Sequence, residues 1–167
     1  MNRLLSNLFS FLLIISLSLG LGGCVSTRLS VAPSSPWKEV ELNTDANPLD
    51  IGFIDDDHGF LIGTNRLIRE TNDGGVSWKE RTLDLQSEEN FRLISLDFSG
   101  EEGWIAGQPG LVLHSKDSGK TWTRLIIGNK LPGEPYLVKT LGTDSAELAT
   151  TAGAVYITNN AGQTWEA

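Results

Sequence analysis

The segment Thr71-Asn72-Asp73-Gly74-Gly75-Val76-Ser77-Trp78 returns twice along this chain. It reappears as Ser115-Lys116-Asp117-Ser118-Gly119-Lys120-Thr121-Trp122 and as Thr158-Asn159-Asn160-Ala161-Gly162-Gln163-Thr164-Trp165. The three tryptophans stand 44 and 43 residues apart. Copies at so steady a period read as supersecondary units that each bury an apolar face against the next. A period of this length suits four short antiparallel strands, the blade of a β-propeller. The match extends upstream, where Gly59-Phe60-Leu61-Ile62-Gly63 aligns with Gly103-Trp104-Ile105-Ala106-Gly107 and more loosely with residues 146–150. The expected fold is all-β: a partial propeller of about three four-stranded blades.

Each residue type in the repeat has a mechanical reason to be there. Asp73 and Asp117 can accept hydrogen bonds from backbone N–H groups of their own turn, closing it in the manner of an Asx turn. In the third copy Asn160 replaces the acid, and its amide oxygen can still accept, so a weakened turn is expected rather than a lost one. Gly75, Gly119 and Gly162 sit where the hairpin needs a positive φ. Trp78, Trp122 and Trp165 open the next strand and are large enough to anchor one blade against its neighbour. The blades are expected at about 49–83, 91–125 and 136–167. In the first, the strands fall near 49–54, 60–63, 67–71 and 77–83. The stretches 84–90 and 126–135 carry the polar, Gly and Pro residues of connectors.

Trp37-Lys38-Glu39-Val40 resembles Trp78-Lys79-Glu80-Arg81 but follows no such turn. Residues 37–42 therefore read as an orphan outer strand, of the kind that closes a ring by completing its last blade. Propellers close with about four to eight blades, so residues 37–167 are expected to be the front of a larger ring.

The N-terminus reads as an address. Arg3 supplies a positive start and residues 8–21 form an apolar run. That run fits a signal peptide and falls short of the roughly 20 residues needed to span a bilayer. It ends in Leu21-Gly22-Gly23-Cys24, which resembles the lipobox of bacterial lipoproteins, and Cys24 is the chain's one cysteine. Residues 1–23 are thus the expected signal peptide and Cys24 the expected lipidation site. Residues 24–36, holding Ser, Thr and Pro, are the expected tether. A single cysteine excludes an internal disulfide framework and a multi-cysteine metal site. The formal net charge of −8 argues against a sequence-independent grip on nucleic acid, which needs cations to neutralise phosphate.

Chemistry-bearing residues are few, and most have a plain structural reading. Asp55-Asp56-Asp57 lacks the spaced ligands and distal Glu of a calcium loop and reads as a solvated turn. His58 lies in that turn, and His114 aligns with Glu70 and Ile157; both read as surface or packing residues. No catalytic residue, metal or cofactor is expected. Tyr156 aligns with Arg69 and Leu113 in a third strand. Arg66, Arg69, Arg81 and Arg92, together with Arg124, are the arginines available for a partner-binding surface.

The lipobox, the tether, the Trp-Lys-Glu-Val strand and Asp-box blades with a Gly-aromatic-aliphatic-aliphatic-Gly second strand occur together here. In this combination the chain resembles the photosystem II stability and assembly factor family of cyanobacteria and chloroplasts. The segment from Phe53 to Gly63 is similar to that family's first blade. The resemblance implies a seven-bladed propeller with about four blades beyond these. It also implies a lipid-anchored protein on the lumenal face of the thylakoid membrane, without catalytic activity. Its partners would be newly made reaction-centre core subunits of photosystem II, bound during early assembly and repair. Two other functions share parts of the pattern. One is a cell-envelope lipoprotein that binds sugars or envelope components. The other is a sialidase-like glycoside hydrolase, which needs an arginine triad and a Tyr-Glu pair; the tyrosines present are Tyr136 and Tyr156, and no Arg-Ile-Pro segment precedes the first box.

Overall fold

The computed structural model describes residues 38–85, 89–127 and 131–167. The signal peptide, Cys24, the tether and Trp37 lie outside the described residues. The described chain from Val40 onward is one compact unit of β-structure.

Three antiparallel sheets follow one another along the chain. The first holds β1 (Pro48–Phe53), β2 (His58–Gly63), β3 (Ile68–Asn72) and β4 (Lys79–Glu80). The second holds β5 (Arg92–Ser99), β6 (Glu102–Gln108), β7 (Leu111–Ser115) and β8 (Thr123–Leu125). The third holds β9 (Pro135–Gly142), β10 (Ser145–Thr150) and β11 (Val155–Thr158). Within each sheet the strands lie in chain order, each hydrogen-bonded to its predecessor. These are three consecutive propeller blades, here blades 1 to 3.

The fourth strand is shorter than the repeat suggests. In blade 1 it starts at Lys79 rather than near Ser77, because the Ser77 N–H is taken by the Asp73 carboxylate (2.9 Å) and cannot join the ladder. In blade 3 it reduces to one bridge between Ile157 and Glu166. Lys38–Leu42, expected as an outer strand, pair with no described strand.

The core lies between blades rather than within them. Phe60, Ile62 and Ile68 of blade 1 meet Phe91, Leu93, Leu96, Ile105, Leu111 and Leu113 in the first seam. Trp104, Ala106 and Val112 of blade 2 meet Val138, Ala146 and Leu148 in the second. Side chains alternate across a strand, so in β6 Ile105 faces blade 1 while Trp104 and Ala106 face blade 3. Blade 2 is covered on both faces, and its two middle strands are buried almost throughout. Blades 1 and 3 each have one covered face, leaving Ile51, Leu137, Val155 and Ile157 between 40% and 50% exposed.

Polar links align the innermost strands across each seam. The Asp50 carboxylate accepts from the Leu96 N–H (2.8 Å), and the Ser95 hydroxyl accepts from the Val138 N–H (3.2 Å). Asp97 accepts from the Thr140 N–H (2.8 Å) and pairs with the Lys139 ammonium (3.1 Å). Strands β5 and β9 are edge strands of their sheets without a β-partner on that side, so these contacts satisfy donors that the ladders leave over.

Candidate functional site: box turns, blade seams and an arginine cluster

The three box turns share one hydrogen-bond scheme. In blade 1 the Thr71 hydroxyl accepts from the Gly75 N–H (2.9 Å) and donates to Asp73 (2.7 Å). Asp73 in turn accepts from the Ser77 N–H (2.9 Å) and the Ser77 hydroxyl (2.5 Å). Ser115, Asp117, Gly119 and Thr121 repeat this in blade 2. In blade 3 the Asn160 oxygen accepts from the Thr164 N–H (3.0 Å), while the Asn160 amide donates to the Thr164 hydroxyl (2.8 Å). The asparagine therefore keeps every bond, with one reversed in direction and without the reinforcement of a carboxylate charge. The hydroxyl two residues before the acid is a full member of the turn. Its signal is the Thr, Ser, Thr that opens all three copies.

Two successive residues of each turn are left-handed. The box glycines have φ +86°, +76° and +77°, and Gly74, Ser118 and Ala161 before them have +67°, +58° and +56°. That extra curl turns the N–H of the preceding residue onto the β1–β2-type turn of its own blade. Gly74 donates to the Asp57 carbonyl (2.9 Å), Ser118 to Glu101 (2.9 Å) and Ala161 to Asp144 (2.8 Å).

Hydrogen bonds from the Ser77 hydroxyl and backbone, then from Thr71, hold the Asp73 carboxyl at about 2, below its ordinary 3.8. For Asp117, burial raises the carboxyl, and the bonds from Thr121 and Ser115 outweigh it, so the net shift is downward. A depressed carboxyl contributes stability that is present above its unfolded value and lost as pH falls through the folded one. We expect the thermal midpoint to fall as pH drops from about 4 towards 2. Asp73→Asn, which mimics blade 3, should flatten that fall in a series of melting curves.

Two of the three box tryptophans, Trp122 and Trp165, are seam anchors as the sequence leads one to expect, and Trp78 is not. Trp122 of blade 2 stands edge-on to Phe60 of blade 1 at 6.3 Å, and Trp165 of blade 3 edge-on to Trp104 of blade 2 at 5.9 Å. The Trp78 ring rests instead on Phe53 of its own blade (6.3 Å), and its N–H reaches the Gly75 carbonyl (3.1 Å).

Both histidines have carboxylate partners, which the sequence reading as surface or packing residues does not foresee. His58 Nε2 lies 2.8 Å from Glu70, whose other oxygen takes the Arg81 guanidinium at 2.6 Å. His114 bonds Glu102 in blade 2, where the two types have exchanged strands. The readable signal was the alignment of His114 with Glu70. The acidic turn Asp55–Asp57 is exposed, and Asp55 accepts from the N–H groups of Asp57 and His58, which lower its carboxyl.

The arginines do not form one continuous patch. Arg66 donates to the Glu89 carbonyl, and Arg66 and Arg124 stand 5.6 and 5.1 Å from the centre of the Phe91 ring. Arg124 also faces the Glu89 carboxylate at 4.0 Å, and Arg92 follows Phe91 in the chain. Arg66 and Arg124 thus flank Phe91 at the connector between blades 1 and 2, and Arg92 opens β5 at the end of that connector with its side chain exposed. Arg69 is buried, with Nη2 3.3 Å from the Asn43 carbonyl and 3.8 Å from Glu80. Arg81 is held by Glu70 and by the Lys120 carbonyl (3.0 Å), so it ties blade 1 to the box turn of blade 2.

The family model described as photosynthesis system II assembly factor YCF48 matches residues 29–167. The chain belongs to that family. Among curated relatives of this YCF48-family chain, the photosystem II assembly lipoprotein Ycf48 of Synechococcus sp. strain CC9902 is 64% identical over the whole chain. That of Prochlorococcus marinus strain MIT 9313 is 65% identical. The chain spans about half the length of each. A solved structure, YCF48 bound to D1 peptide, superposes with a TM-score of 0.76 at 44% identity, covering 80% of this chain and 43% of that one. YCF48 from Cyanidioschyzon merolae superposes with a TM-score of 0.72, also at 44% identity, covering 78% and 39%.

Proposed function

We propose that this chain is part of a non-catalytic assembly factor that binds newly made reaction-centre core subunits and promotes early assembly and repair of photosystem II. The observation that carries this reading is the likeness to YCF48 bound to D1 peptide, across four-fifths of the chain. The described blades are rigid, seam-packed sheets, a scaffold suited to presenting loops to a protein client. Cys24 is the proposed lipid anchor to the membrane, on the lumenal side of the thylakoid. The lipoprotein names of the relatives support the anchor.

Within the described residues, Arg66 and Arg124 at the connector and Arg92 at the start of β5 are the proposed contribution to the client surface. Arg69 and Arg81 act chiefly as internal ties. The reading predicts that the chain retains a fluorescent D1 peptide in an anisotropy titration. Arg92→Glu together with Arg124→Glu should weaken it at least tenfold, a loss of about 1.4 kcal/mol or more, because like charges set against one another at an interface cost several kcal/mol. Hydrolysis of a fluorogenic sialoside, or absence of any peptide binding by the complete protein, would overturn the proposal.

A further inference from the structure

Glu102, His114 and Asp144 bring two carboxylate oxygens and one imidazole nitrogen within 4.8 Å of one another. Three separate segments supply them. Glu102 opens β6, His114 is next to last in β7, and Asp144 lies in the turn between β9 and β10 of the next blade. Glu102 and His114 are buried, whereas the Asp144 side chain is 38% exposed. The group is thus closed towards the seam and open on one side.

We propose that this triad binds a first-row divalent transition ion. One imidazole nitrogen with two carboxylate oxygens is a donor set that such ions accept, and three protein donors leave a position for water. The Trp104 ring stacks on the imidazole with centroids 4.0 Å apart and planes 21° apart, which fixes the plane of His114. Two carboxylates at this spacing repel unless a cation offsets them. In this structure the Lys116 ammonium supplies that charge by bonding Asp144, and because its side chain is 56% exposed, exchanging that bond for water costs little. A divalent ion between the three donors offsets both carboxylates at once.

Blade 1 provides an internal contrast. His58 and Glu70 occupy the same two positions with the types exchanged, 2.8 Å apart. There the Arg81 guanidinium takes the other Glu70 oxygen at 2.6 Å, so the blade 1 pair already holds a fixed cation in place of a second carboxylate. A metal is therefore expected in blade 2 and not in blade 1. Placed across the blade 2–blade 3 seam, the ion would clamp the two blades together, a role independent of client binding.

The test uses the full chain carrying Cys24→Ser, so that no thiol competes, stripped with chelator and titrated with zinc chloride in a calorimeter. One tight site per chain is expected. Cobalt chloride should quench indole fluorescence, because Trp104 lies directly on the ligand ring, and zinc should reverse the quenching. Asp144→Asn should weaken zinc at least tenfold; the residue sits in an exposed turn at φ +57°, which asparagine tolerates, so folding is preserved. Lys116→Gln should tighten binding by removing the competing cation, and His58→Gln should leave it unchanged. Absence of zinc binding by the parent chain overturns the site. So does binding that survives both Asp144→Asn and His114→Gln.

Discussion

Gly119→Ala should destabilise the fold by about 3 kcal/mol, combining roughly 1–2 for a left-handed alanine with a similar amount for overpacking. The backbone there has φ +76°, and a Cβ would lie 2.5 Å from the Phe60 ring of the preceding blade. Phe60 has no room to yield, since it is fully buried and is flanked by Phe98 at 5.6 Å and Trp122 at 6.3 Å. Gly75 holds the same place in the repeat with φ +86°, yet its Cβ would come no nearer than 3.4 Å to any atom. Gly75→Ala should therefore show the conformational cost alone, roughly 1–2 kcal/mol. Paired urea titrations of the two variants read the difference. Equal midpoints would mean that φ alone explains the glycine and that the seam contact contributes nothing.

Trp104→Ala should cost about 4 kcal/mol and loosen blade 3 before blade 2. Trp104 is fully buried and faces the second seam, where Trp165 stands edge-on at 5.9 Å and Val138, Ala146 and Leu148 pack around it. Its ring also covers His114, so truncation exposes the buried His114–Glu102 pair to water. Hydrogen exchange resolves the order of opening. Amides of β9 and β10 should lose protection at lower denaturant than those of β6 and β7. A uniform loss across all three blades would show that the seam is not a separable unit.

The two expectations differ in how far they could be read from the chain alone. The repeat at Trp78, Trp122 and Trp165 showed that blades exist and where each begins. It did not show that Gly75 and Gly119, identical in type and position, face different neighbours. The Gly-aromatic-aliphatic-aliphatic-Gly pattern likewise became intelligible only in three dimensions. A Cβ on Gly59 or Gly103 would strike the ring of Phe53 or Phe98 on the adjoining strand. A Cβ on Gly63 or Gly107 would meet the carbonyl of Asn47 or Arg92. The histidines show the same limit. His58 and Glu70, like Glu102 and His114, are 12 residues apart, and only the antiparallel β2–β3 and β6–β7 registers bring them together.

What the sequence determined by itself was local and periodic. An acid or amide, a hydroxyl and a glycine at set offsets close a turn whatever lies around them, because their hydrogen bonds span four residues or fewer. Repetition of that turn at a blade-length period dictates stacked four-stranded units. The tertiary structure decided everything that depends on which blade face meets which. It placed Leu96 and Val138 against the blades before them and left Ile51, at the matching place in β1, half exposed. It brought Arg66 and Arg124 to one aromatic ring, Phe91, while turning Arg69 and Arg81 into internal ties. It set Asp144 of blade 3 beside Glu102 and His114 of blade 2. Such outcomes rest on contacts between residues tens of positions apart, whose partners are chosen by the stacking of whole sheets and not by any local pattern.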